Sequence, residues 1–158
     1  MKRLICLICF LALLLSGCSV TGDWIKEPVT FYYVHENYQK DMKQVIESEL
    51  REASGHRDDL TYLLALYSMG PSSDKLKSPF PHNVQIMPIE RTSDSIVLSL
   101  SENAQILTDA QFTLASACLA LTCMDLTNAQ QISVECAERK ISINKDNLLL
   151  YADHVQEP

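Results

Sequence analysis

Residues 114–121 read Leu-Ala-Ser-Ala-Cys-Leu-Ala-Leu, apolar almost all round, with Ser116 as the one polar member. A helix of that composition belongs in the interior, because no face of it suits water. Just upstream, Thr108-Asp109-Ala110-Gln111 matches a capping box, in which the hydroxyl and the amide side chain satisfy each other's backbone donors. The helix therefore opens there and is expected to run to about Met124.

The other elements follow from shorter signals. Val29-Thr30-Phe31-Tyr32-Tyr33-Val34, with Pro28 just before it, is rich in β-branched and aromatic residues and predicts a strand. Its two faces, Phe31 and Tyr33 against Tyr32 and Val34, are both apolar. The strand is therefore either buried on both sides or partly a contact surface. Over 41–54, Met42, Val45, Ile46, Leu50 and Ala53 recur at helical spacing, and Gly55 would close such a helix. Asp58-Asp59 opens a clearer helix with an apolar stripe of Leu60, Leu63, Leu64 and Tyr67, stopped by Gly70-Pro71. Pro79 and Pro81 make 72–83 a loop. Residues 84–89 and 96–100 predict a hairpin around 91–95, with Pro88 marking an edge or a bulge. Strands over 132–136 and 147–152 complete the set. The fold class is α+β: two helices packed on a mostly antiparallel sheet of about five to six strands.

The N-terminus reads as an address. Met1-Lys2-Arg3 precedes twelve apolar residues, 4–15, too few for a bilayer span of about 20 residues but suited to a secretory signal. Leu15-Ser16-Gly17-Cys18 then resembles the lipobox of bacterial lipoproteins. In that chemistry the Cys18 thiol takes a diacylglyceryl group and cleavage leaves Cys18 as the lipidated N-terminus. Two acyl chains, palmitate among the usual ones, hold a protein on a membrane where one chain does not. The expected domains are 1–17 signal peptide, 18–28 lipidated cysteine and tether, 29–152 folded domain and 153–158 tail.

A net charge of −7 argues against nucleic-acid binding, which calls for a basic face. His35, His56, His82 and His154 are scattered singly, without metal-ligand spacing. Only four glycines occur and none forms a phosphate-cradling loop, nor is there a nucleophile elbow. Glu47 and Glu49 would flank a sugar only if their segment faced a cleft; a solvated face is the simpler reading. Tyr32, Tyr33, Tyr38 and Phe80 could line a sugar-stacking groove or fill strand and loop positions. Beyond the signal, Cys118, Cys123 and Cys136 remain. Cys118 and Cys123 point about 140° apart on a helix, so they cannot share one metal. All three fit as small core hydrophobes, with a bridge from Cys136 to one of the other two still open.

The helix ending Leu66-Tyr67-Ser68-Met69-Gly70-Pro71, then Leu76, Ser78, Phe80-Pro81 and Val84, the strand 95–101, the Ala-rich helix carrying Leu121-Thr122 and the strand Ile132-Ser133-Val134-Glu135 together resemble the GerMN domain. That domain occurs in bacterial sporulation and spore-germination proteins and in envelope lipoproteins. The resemblance spans about 29–152. This chain carries Asn83 and Ala137 where family members often have glycine. The resemblance places an extended strand before the Gly-Pro-terminated helix, so the expectation for 44–51 is a strand despite its helical period. It also implies a non-enzymatic role with no catalytic residue, metal or cofactor.

The expected function is therefore an extracytoplasmic lipoprotein, anchored to the cell membrane through lipid on Cys18. Its domain is expected to act as an interaction or assembly module linked to sporulation or germination. An envelope protein partner or self-association fits that role. A peptidoglycan- or small-ligand-binding lipoprotein is the alternative.

Overall fold

The computed structural model describes residues 25–37 and 44–146. Seven strands and two α-helices follow in chain order. They are β1 (Pro28–His35), β2 (Ile46–Glu52), α1 (Leu60–Ser68), β3 (Leu76–Lys77), β4 (Ile86–Arg91), β5 (Ser95–Leu100), a 3-10 turn (Glu102–Ile106), α2 (Asp109–Thr127), β6 (Gln131–Cys136) and β7 (Arg139–Asn144).

The strands form two sheets rather than the single sheet expected from sequence, ordered β2-β1-β3 and β4-β5-β6-β7. Pairing is antiparallel except for β5 and β6, which run parallel, Ser95 against Gln131 through Ser99 against Glu135. A parallel pair needs a long crossover, and α2 supplies it. The segment 44–51 is strand, in register with β1 from Pro28 opposite Glu52 to Val34 opposite Ile46. β7 was not anticipated, and β3 is a short strand inside the expected loop. The strand expected over 147–152 lies outside the described residues.

Each helix end follows its local chemistry. Asp59 caps α1 by accepting the Tyr62 N–H at 3.0 Å. Gly70, at φ +88°, takes the left-handed turn that ends the helix. On α2, Thr108 Oγ1 accepts the Gln111 N–H while Gln111 Oε1 accepts the Thr108 N–H. The helix ends at Thr127, one turn later than expected, with Asn128 at φ +60° as the left-handed cap.

α2 packs against both sheets, through β1 on one side and β6 and β7 on the other. Phe112, Ala115, Leu119, Ala120 and Cys123 are buried in the main core with Ile96, Leu98, Ile132 and Val134. Cys118 joins a second small cluster with Val34 and Ile46. None of 114–121 is exposed. Behind the opposite face of β1, Tyr33 stacks on Tyr67 at 4.9 Å, and Phe31 and Phe80 meet Tyr67 edge-on. β1 is therefore buried on both faces: Phe31, Tyr33 and Val34 are buried and Tyr32 is half-buried.

Candidate functional site

The chain enters the domain beside the β2–α1 loop. The Glu27 carbonyl accepts the Ala53 N–H at 3.2 Å and Glu27 Oε2 accepts the Gly55 N–H at 2.9 Å. Arg57 Nη1 donates to the Pro28 carbonyl at 2.5 Å. These bonds clamp the loop 53–59 and so fix the N-terminal end of α1. The His56 ring lies on the Tyr62 ring at 4.2 Å, which holds the imidazole against the first turn.

Facing this helix end is the last half of β4. The β4–β5 register shifts between Pro88 and Glu90, a bulge that the proline, lacking an N–H, helps to set. Between loop and strand lies a groove of about 660 Å³, lined by Gly55, His56, Asp58, Asp59, Leu60 and Thr61 on one wall and Pro88, Ile89, Glu90 and Arg91 on the other. That volume is in the range of ligand sites. Ile89 is 57% exposed on the rim, and the neighbouring Met87 50%. Of the charged lining residues, Asp58, Asp59 and Glu90 are acidic and Arg91 is basic. The Asp59 carboxylate is already engaged as the helix cap. The arrangement can hold an apolar side chain or an extended segment between charged rims. Among its described lining residues no hydroxyl or thiol is hydrogen-bonded to a base.

The structure separates the residues that the sequence singled out. Cys18, Tyr38 and His154 lie outside the described residues. His35 ends β1, His82 lies in the loop before β4, and only His56 borders the groove. Among the described residues no three His, Cys, Asp or Glu side chains gather to hold a metal ion. Glu47 is exposed, whereas Glu49 accepts the N–H groups of Ser72 and Ser73 at 2.9 Å and pairs with Arg51 at 3.3 Å. Glu49 thus ties down the loop after α1, and neither glutamate lines the groove beside β4. Of the aromatics that could line a stacking groove, Tyr33 and Phe80 are buried, Tyr32 is half-buried, and Tyr38 lies outside the described residues. Cys118, Cys123 and Cys136 are free and buried. Burial pushes the Cys118 and Cys123 thiols up to about 12.

The outer edge of β1, considered from sequence as a contact surface, is closed. Thr122 Oγ1 accepts the Tyr32 N–H at 3.0 Å, and Tyr67 Oη donates to the Tyr32 carbonyl at 3.0 Å. Beyond them Val34 pairs with Lys77 of β3. Sequence reasoning missed the groove itself. Its one visible signal was Pro88 within an apolar strand.

No protein-family model matches the chain, and no curated protein does. Solved structures are similar to it. One holds the tandem GerMN domains of the sporulation protein GerM from Bacillus subtilis, 18% identical over 71% of this chain and 39% of that one, with a TM-score of 0.49. Another is a proposed lipoprotein from Clostridium perfringens, 12% identical over 75% of this chain and 89% of that one, with a TM-score of 0.46. The chain thus spans about two fifths of the tandem-domain protein.

Proposed function

We propose that this chain is an extracytoplasmic lipoprotein, held on the cell membrane by lipid on Cys18, whose GerMN-like domain binds a protein partner of the envelope and catalyses no reaction. The observation that carries the reading is the groove between α1 and β4, with Ile89 exposed on its rim and Met87 exposed on the same strand nearby. Exposed apolar residues beside a ligand-sized groove with charged walls are the usual makings of a contact site. The groove also borders the point where the chain enters the domain, through the Glu27–Gly55 bond. Six residues lie between Cys18 and Ile25, seven Cα-to-Cα steps with a reach of at most about 25 Å. An anchor at Cys18 would hold the groove near the membrane surface, where the exposed parts of other membrane proteins lie. The role fits assembly, in keeping with the sporulation and germination setting of the family it resembles.

The reading is tested by blocking the groove in the full-length chain. Ile89→Asp should leave the fold intact and reduce recovery of a crosslinked envelope partner. Unchanged recovery would rule out the groove as the contact site.

A further inference from the structure

Among the described residues, the edge of β2 that faces away from β1 pairs with no other strand. The His35 N–H donates to the Val45 carbonyl at 2.9 Å and the Ala53 N–H to the Glu27 carbonyl at 3.2 Å, so odd-numbered residues form the hydrogen-bonded pairs of the β1–β2 ladder. Even-numbered residues on both strands therefore aim their N–H and C=O groups away from it. On β1 the outward groups of Tyr32 are taken by Thr122 and Tyr67, and the Pro28 carbonyl by Arg57. On β2 only the Ile46 carbonyl is engaged, by Gln44 Nε2 at 3.3 Å. The outward backbone groups of Ser48, Leu50 and Glu52 find no partner among the described residues. β4 is blunted by Pro88 and its bulge, whereas β2 keeps an unbroken register over seven residues with no proline. Leu50, one residue past the centre of the strand, is 57% exposed.

An open, regular edge with an exposed apolar residue beside its centre is a template for another strand. We propose that β2 pairs antiparallel with β2 of a second copy, about a two-fold axis through Leu50. Charge selects that register. With the axis at Leu50, Leu50 meets the partner's Leu50, and Glu49 meets the partner's Arg51 in both directions. Moving the axis to Glu49 sets Glu49 against itself, to Ser48 sets Glu47 against Glu49, and to Arg51 sets arginine against arginine. Directly opposed like charges destabilise a sheet and opposite charges support it. The result is one six-stranded sheet, β3-β1-β2-β2-β1-β3. The two-fold closes the assembly and stops further growth. A strand-edge contact alone is small, and holding both copies on one membrane would raise their effective concentration.

The test uses the full-length chain in detergent, oxidised with Leu50→Cys or, separately, Glu47→Cys. Facing residues of a hydrogen-bonded antiparallel pair stand about 5.5 Å apart at Cα, within disulfide reach. The two copies of position 47 would be about 20 Å apart along the strand. The expected result is a disulfide dimer for Leu50→Cys and none for Glu47→Cys or the unsubstituted chain. Ser48→Pro, which removes an outward N–H and leaves the β1 ladder intact, should cut the dimer fraction in sedimentation velocity by about tenfold. Equal crosslinking at both positions, or an unsubstituted chain that sediments as a monomer up to its solubility limit, would overturn self-pairing. A Leu50→Cys crosslink to a different envelope protein would also overturn it. None of these results bears on the groove, which is read separately through Ile89→Asp.

Discussion

Thr122, in the C-terminal half of α2, accepts the backbone N–H of Tyr32 on β1 at 3.0 Å, and so a helix side chain takes the place of a neighbouring strand. Tyr67 completes the substitution from α1 by donating to the Tyr32 carbonyl. Between them the two hydroxyls make β1 an interior strand although β3 pairs with only its last two residues, Val34 and His35. Thr122→Val keeps the shape and removes the acceptor, leaving a buried N–H unpaired. Chemical unfolding should show a loss of about 1–3 kcal/mol, with Thr122→Ser close to the original.

Ser116 makes the opposite case. Its Oγ is buried with no hydrogen-bond partner among the described residues. Ser116→Ala removes an unsatisfied polar atom and improves helix propensity, so it should raise stability by about 1 kcal/mol. A lower melting temperature would show that the hydroxyl has a partner after all.

Ala137 turns the β6–β7 hairpin at φ +53°, a left-handed conformation that costs a residue with a Cβ about 1–2 kcal/mol. Ala137→Gly should recover part of that cost, visible as a higher unfolding midpoint.

The buried thiols set an alkaline limit. Cys118 and Cys123 titrate near 9.0 when exposed and about 12 in the fold, because burial disfavours the thiolate. Above pH 9 the unfolded chain has released protons that the folded chain still holds. Stability is therefore complete below about pH 9 and falls as pH rises toward 12. Urea midpoints across that range should decline, and more gently for Cys118→Ala combined with Cys123→Ala. Thiol reagents at neutral pH should leave all three buried cysteines unmodified until the chain is unfolded.

What the sequence revealed depended on how local the cause was. The capping box at Thr108, the Asp59 cap and the Gly70 stop are each written within four residues, and each was readable. Asn83 was expected to stand in for glycine and does, at φ +67°. β2 shows where local pattern misleads. Val45, Ile46, Leu50 and Ala53 keep a helical period, yet pairing with β1 decides the matter, and Leu50 is left exposed on an edge. β7 went unseen because Ala137-Glu138 lacks the Asn-Gly or Gly chemistry that announces a tight hairpin. The division into two sheets has no local signature, since it depends on which strands pair. The groove joins residues 55–61 to 88–91, segments distant in sequence that carry no shared motif.

The anchor has its own test. Cys18→Ala in the full-length chain should abolish fatty-acid labelling and leave the signal segment uncleaved by the lipoprotein peptidase. Normal processing and membrane retention of that variant would end the lipoprotein reading.

The central claim is that this domain works by holding an envelope protein in the groove beside β4. The most direct measurement places a photoreactive amino acid at Ile89, and in a second variant at Glu102 on the turn after β5, then irradiates intact envelopes. The account predicts a discrete protein adduct at position 89 and none at 102. Equal labelling at both positions, or attachment at position 89 to peptidoglycan fragments in place of a protein, would contradict it.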